Sequence, residues 1–157
     1  MKKIAIFVDV QNIYYTTRDA YGRQFNYRKF WHKISAEGDI VVANAYAIDR
    51  GDDRQQKFQD ALKHIGFTVK LKPYIQRSDG SAKGDWDVGI TIDVLQAASQ
   101  ADTIVLLSGD GDFDLLLKKI TGDYDVSAEV YSVAALTANT LINAASVYHP
   151  IEDTDLL

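Results

Sequence analysis

Apolar and polar positions alternate in blocks along this chain, and the period of the alternation changes from block to block. Ile4–Val8 (IAIFV) is a short apolar run between polar residues, the pattern of a strand buried on both faces. Ile40–Ile48 (IVVANAYAI) repeats it, and Phe67–Ile75 (FTVKLKPYI) alternates like a strand with one wetter face. Thr103–Leu107 (TIVLL) and Ser127–Val133 (SAEVYSV) read as two more strands. Between the strands the spacing lengthens to that of helices. Asn26 precedes the segment YRKFWHKISAEG, where Phe30, Trp31 and Ile34 share a face and Gly38 ends the pattern. Asp53–Ile65 places Phe58, Ala61, Leu62 and Ile65 at helical spacing, and Gly66 stops it. Asp87–Ser99, Phe113–Ile120 and Thr137–Val147 read as three further helices, and Gln76–Asp85 (QRSDGSAKGD) as a loop.

Five strands alternating with helices predict an α/β fold: a mostly parallel sheet of about five strands, covered on both faces. Right-handed crossovers make the expected architecture a three-layer α/β/α sandwich. No repeat or linker interrupts the 157 residues, so residues 1–157 are expected to form one domain. In such folds ligands sit beyond the carboxyl ends of the strands.

Composition removes several chemistries. There is no cysteine, which excludes disulfides and thiolate metal sites and gives no sign of an oxidising compartment. The apolar run at the N-terminus stops at Asp9, too early for a signal peptide. No stretch approaches the roughly 20 apolar residues of a membrane span. A soluble cytoplasmic protein without a membrane partner is expected. The net charge of −5 is unevenly divided. Residues 1–83 carry 15 Lys/Arg against 9 Asp/Glu, whereas residues 84–157 carry 2 against 13. A basic surface set against an acidic pocket would suit an enzyme that holds cations while binding a polyanion.

The acids fall where ligands are expected. Asp9 ends the first strand, and Asp110 and Asp112 follow the fourth in SGDGDF. Asp87 opens the helix that leads into the fourth strand. If the first and fourth strands are neighbours, four carboxylates converge, and each raises the pKa of the others unless a cation neutralises them. An all-oxygen set favours Mg²⁺ or Mn²⁺. Zinc is disfavoured, because His32, His64 and His149 are scattered. A plainer role for Asp110 or Asp112 is to cap the following helix. Asn12 could anchor a water or phosphate beside Asp9, and Lys83 could contact phosphate. Ser108 could touch metal or phosphate. Tyr14, Tyr15 and Trp86 are aromatics beside the acids that could stack on bases. Asp93 lies about 120° around an ideal helix from Asp87, and Asp114 lies one step deeper than Asp112. Both are accessory candidates only.

Three stretches together resemble the NYN domain, most closely its LabA-like bacterial branch: FVDVQN from Phe7 to Asn12, KGDWDV from Lys83 to Val88, and SGDGDF from Ser108 to Phe113. The late segment Leu136–Tyr148 is similar to that family's closing helix. NYN domains resemble PIN domains, so the resemblance implies PIN-like topology and an acidic site binding Mg²⁺ or Mn²⁺. It also implies ribonuclease activity on RNA, here single-stranded. By the same resemblance Asp9, Asp87, Asp110 and Asp112 are the metal and catalytic acids, with Asn12 as the accompanying amide. Asp93 matches a recurrent acid. Many members place one residue between the glycine and the acid. Here Asp85 and Trp86 both intervene, so either Asp85 or Asp87 can be the ligand, and Asp87 is preferred because it leads into the helix.

The expected activity is hydrolysis of RNA phosphodiester bonds by a metal-activated water, with Arg18, Arg77 and Lys83 holding the backbone. The alternative is a catalytically weak RNA-binding or regulatory module of the same fold. A homodimer would extend a shallow substrate surface. An aspartyl phosphatase is disfavoured, because Gln11 stands where its general acid belongs. Dinucleotide binding is disfavoured by the missing third glycine after Gly109 and Gly111.

Overall fold

The structure is a computed structural model describing residues 1–73, 75–76, 82–83 and 85–157. Its first half contains β1 (Lys3–Asp9), α1 (Val10–Tyr21), α2 (Tyr27–Ser35), β2 (Asp39–Asp49), α3 (Asp53–Ile65) and β3 (Thr68–Pro73). A small pair follows, β4 (Ile75–Gln76) and β5 (Ala82–Lys83). Then come α4 (Asp87–Ala98), β6 (Thr103–Leu107), α5 (Asp114–Asp123), β7 (Ser127–Ser132), α6 (Asn139–Ala144) and β8 (Val147–Pro150).

Six strands form one parallel sheet in the order β3-β2-β1-β6-β7-β8. β4 and β5 pair antiparallel apart from it. The alternation along each strand decides which layer it feeds. Ile4, Ile6 and Val8 of β1 pack on one face with Ile13 of α1, Phe30 and Ile34 of α2 and Leu62 of α3. Ala5 and Phe7 pack on the other with Ile90 and Val94 of α4, Leu117 of α5 and Leu141 of α6. β6 divides in the same way, Val105 and Leu107 to one side and Ile104 and Leu106 to the other. Each large apolar side chain sealed in these layers adds roughly 1.5–3 kcal/mol of transfer free energy. The three-layer α/β/α architecture is therefore as the pattern predicts, with six strands rather than about five.

The extra strand is β8. Leu141, Ala144, Ala145 and Tyr148 are spaced as on one helix, which predicts a helix from Thr137 to Val147. The helix instead ends at Ala144, because Ala145 is extended at φ −74°, ψ 141°. The Ser146 N–H then donates to the Ala128 carbonyl at 2.7 Å, starting a short edge strand that Pro150 closes. The sequence pattern also gives no warning of α1. Only Val10, Ile13 and Thr17 of that helix are buried, and Thr17 bonds its hydroxyl to the Ile13 carbonyl at 2.7 Å. Gly22, at φ 65°, caps its end. The strand predicted over Phe67–Ile75 is shorter, Thr68–Pro73. Part of the Gln76–Asp85 loop prediction lies outside the described residues.

The two glycines of SGDGDF permit a close approach. A Cβ on Gly111 would lie 2.7 Å from the Ala138 Cβ, and one on Gly109 would lie 2.8 Å from the Thr137 hydroxyl. The segment before α6 therefore presses directly on the turn after β6. Gly111→Ala is expected to destabilise the protein by about 1–3 kcal/mol through overpacking. A urea unfolding midpoint equal to that of the parent would contradict this.

Candidate metal centre

β1 and β6 are adjacent and parallel, with Val8 opposite Leu107. Asp9 and Ser108 therefore leave the sheet side by side. Ser108 is fully buried; its hydroxyl donates to Asp9 Oδ2 at 3.1 Å and accepts the Asp110 N–H at 3.2 Å. Asn12 closes the arrangement from the first turn of α1. Its N–H donates to Asp9 Oδ1 at 3.4 Å, and its Oδ1 accepts the Gly109 N–H at 2.9 Å. Asp9 is thus the cap of α1, and Asn12 ties that helix to the strand exit that carries the acids.

Asp110 Oδ1 accepts the Asp112 N–H at 2.9 Å and so caps the one-turn helix Gly111–Phe113. Capping is therefore part of its role. That turn also brings Asp112 round to the same side as Asp87, the first residue of α4. Asp87, Asp110 and Asp112 each offer a carboxylate oxygen, and these oxygens all lie within 4.8 Å of one another. Asp9 is outside this set of three, its carboxylate engaged by Ser108 and Asn12.

The donor chemistry fits a small hard cation. Oxygens on opposite sides of an octahedral Mg²⁺ are about 4.2 Å apart, from bonds of about 2.1 Å. A spacing of up to 4.8 Å needs only a slight contraction to hold one ion. The set contains oxygen donors alone, which selects against zinc.

Electrostatics point the same way. The Asp87 carboxyl is pushed up to about 7, first by burial and then by a hydrogen bond to Asp110 and by the charges of Asp110, Asp85 and Asp9. The Asp9 carboxyl is pushed up to about 6, chiefly by burial, with the Asn12 and Ser108 hydrogen bonds pulling it down and Asp110 and Asp85 pushing it up. Carboxylates gathered without a cation are expected to hold their protons to higher pH in this way.

The remaining candidates are spread around this centre. Asp85 is exposed and accepts the Asp87 N–H at 3.2 Å, at the start of α4. Asp114 begins α5, where negative charge suits the helix N-terminus. Trp86 donates its indole N–H to the Ala47 carbonyl at 2.9 Å and packs 5.2 Å from the Tyr46 ring, with the Lys72 ammonium 4.4 Å over its face. Tyr15 stands on α1 beside Tyr14, ring centroids 5.3 Å apart. Arg77 and the side chain of Lys83 lie outside the described residues.

Asp93 belongs to a different network, which the sequence pattern does not reveal. It accepts from the Tyr46 hydroxyl at 2.7 Å and from Lys70 Nζ at 2.8 Å. It remains ionised below the ordinary carboxylate value; burial works against this, and the Lys70 and Tyr46 hydrogen bonds outweigh it. This cluster ties α4, and so Asp87, to β2 and β3. Lys70 and Lys72 alternate along β3 and both reach the α4 side, but their spacing does not name Asp93 as a partner.

The parallel α/β/α sandwich with a cluster of acids beyond its strand ends fits a PIN-like protein, and the chain belongs to the NYN domain family, whose model matches residues 3–152. The chain is 31% identical over 159 residues to Low amplitude and bright protein LabA of Synechococcus elongatus, covering 96% of this chain and 84% of that protein. It is 51% identical to a Vibrio parahaemolyticus protein of unknown function whose crystal structure superimposes with a TM-score of 0.94, covering 99% of this chain and 96% of that one. Among the described residues no helix is long and apolar enough to cross a membrane.

The raised carboxyls make stability depend on pH and metal together. Both are raised above the ordinary 3.8, so the folded protein binds more protons than the unfolded chain in this range. Their stabilising contribution is full below about pH 3.8 and is lost as pH rises through about 6 and then about 7. Calorimetry of Asp87→Asn without divalent ions should show a smaller fall in melting temperature between pH 5 and 8 than the parent shows. Mn²⁺ should raise the parent's melting temperature at pH 8 more than at pH 5. Equal Mn²⁺ effects at both pH values would contradict the assignment.

Proposed function

We propose that this protein is a metal-dependent endoribonuclease that hydrolyses phosphodiester bonds of single-stranded RNA in the cytoplasm. The observation that carries the reading is the set of three carboxylate oxygens, all within 4.8 Å, beyond the strand ends of an NYN domain. Asp87, Asp110 and Asp112 would hold one Mg²⁺ or Mn²⁺ ion. Bound there, the ion supplies Lewis-acid charge at the scissile phosphate and makes water a stronger nucleophile. Asp9 takes no place in the set of three, so its carboxylate is left to take a proton from the attacking water. A value of about 6 is suited to that task near neutral pH. Ser108 positions Asp9 and Asp110 through its buried hydroxyl, and Asn12 holds Gly109 and the Asp9 carboxylate in register. Tyr15, Trp86 and Lys83 would contact the strand.

One observation favours a second reading, a catalytically weak RNA-binding module. The oxygens close enough to share an ion come from three acids, while Asp9 is turned to Ser108 and Asn12. A site with one fewer ligand can bind metal and RNA and still turn over slowly.

Incubation of the purified protein with single-stranded RNA and Mn²⁺, beside Asp110→Asn, separates the two. Several kcal/mol of metal-derived stabilisation at about 1.4 kcal/mol per tenfold predicts a loss of at least about a hundredfold in cleavage. Chelation of the metal should have the same effect on the parent. Equal cleavage by parent and variant would overturn the nuclease reading. RNA binding without cleavage under any divalent ion would select the binding module.

A further inference from the structure

A cleft of about 1030 Å³ opens on the opposite face of the sheet from α4, between α1 and the start of α3. Its floor is apolar and aromatic, with Phe25, Tyr27, Phe58 and Leu62. Its rim is cationic, with Arg18 from α1, Arg28 from α2, and Arg50 and Arg54 at the approach to α3. Asp52 and Asp53 also line it, but Asp52 is engaged as the cap of α3, accepting the Gln55 N–H at 2.7 Å. Near the acidic centre the cleft is lined by Val10, Gln11, Tyr14 and Tyr15, directly after Asp9.

We infer that this cleft holds the part of a single-stranded RNA that flanks the scissile phosphate, with bases over the α1 tyrosines and phosphates on the arginine rim. The inference rests on the nuclease or RNA-binding reading of the acidic centre and gives its substrate a path. The occupant follows from chemistry. An aromatic platform inside a cationic rim meets the two invariant parts of a nucleic acid strand, the base faces and the phosphates. The acidic centre cannot supply that attraction itself. Arg18 is prearranged on the platform, its guanidinium 4.8 Å from the Tyr15 ring and 5.7 Å from the Tyr14 ring. Arg50 donates to the Tyr15 hydroxyl at 3.4 Å. The pairing of Arg18 with Asp19 at 3.3 Å is solvent-exposed, so a phosphate can displace it. From Asp9 to Arg18 is nine residues of helical rise, about 13 Å, the length of about four stacked nucleotides. Cleft and acidic centre are therefore within reach of one short strand.

The test is fluorescence polarisation of a 5′-labelled twelve-nucleotide oligouridylate in EDTA, where no cleavage can interfere. The double variant Arg18→Glu/Arg54→Glu should bind at least about tenfold more weakly, and its salt slope should shrink by about 1.4, two phosphates at about 0.7 each. Tyr14→Ala, at an exposed ring, should weaken binding about fivefold or more with an unchanged slope. Lys119→Ala, on the α5 side and paired with Asp123, should bind like the parent. Parent-like affinity in the groove variants, an equal loss in Lys119→Ala, or no binding by the parent would overturn the inference. So would groove variants that change the sedimentation of the free protein, which would mark a cleft covered by a second copy. Loss of binding in the groove variants with no cleavage by the parent would defeat the nuclease reading alone.

Discussion

Carboxylates gathered at the edge of a parallel sheet repel one another, and that repulsion sets the terms for the rest of this protein. Asp87 and Asp110 bring carboxylate oxygens within 4.8 Å of each other, and partial burial, the Asp110 hydrogen bond and neighbouring charge hold the Asp87 carboxyl above its ordinary value. The fold accepts this cost at one place, the exit of the two most deeply buried strands, β1 and β6. Their apolar faces on both sides make that region rigid. A bound divalent cation would relieve that repulsion.

The scaffold around the acids is built to hold them at this spacing. Ser108 and Asn12 connect β1, α1 and the loop after β6 by hydrogen bonds at 2.9–3.4 Å. Gly109 and Gly111 let the segment before α6 press on the same loop. The Asp93–Tyr46–Lys70 cluster fixes α4, and with it Asp87, against β2 and β3. Each of these supports lies at a junction between elements, so a small displacement at any of them moves a carboxylate. The glycines, which first look like flexible punctuation, are sites of close packing.

Much of this was legible in the chain, for physical reasons. Ile4–Val8 and Thr103–Leu107 are apolar at every position, which marks strands covered on both faces and places Asp9 and Ser108 at one edge. Asp87 was legible at the same edge because it opens the helix that leads into Thr103–Leu107, and a helix feeding a parallel strand starts at the carboxyl end of the sheet. α1 was hidden because nine of its twelve residues are not buried and its core-facing positions include a threonine. β8 was hidden because Leu141, Ala144, Ala145 and Tyr148 mimic a helical face. The engagement of Asp9 with Ser108 and Asn12 depends on side-chain conformations that no spacing rule records. The same holds for the ion pair that draws Asp93 away from the acidic centre.

The most direct measurement is anomalous diffraction from crystals soaked in Mn²⁺ near pH 8, where the raised carboxyls are ionised. A peak about 2.0–2.6 Å from oxygens of Asp87, Asp110 and Asp112 is predicted. Saturating Mn²⁺ that leaves those three carboxylates without a peak, or an ion bound only elsewhere, would contradict the account.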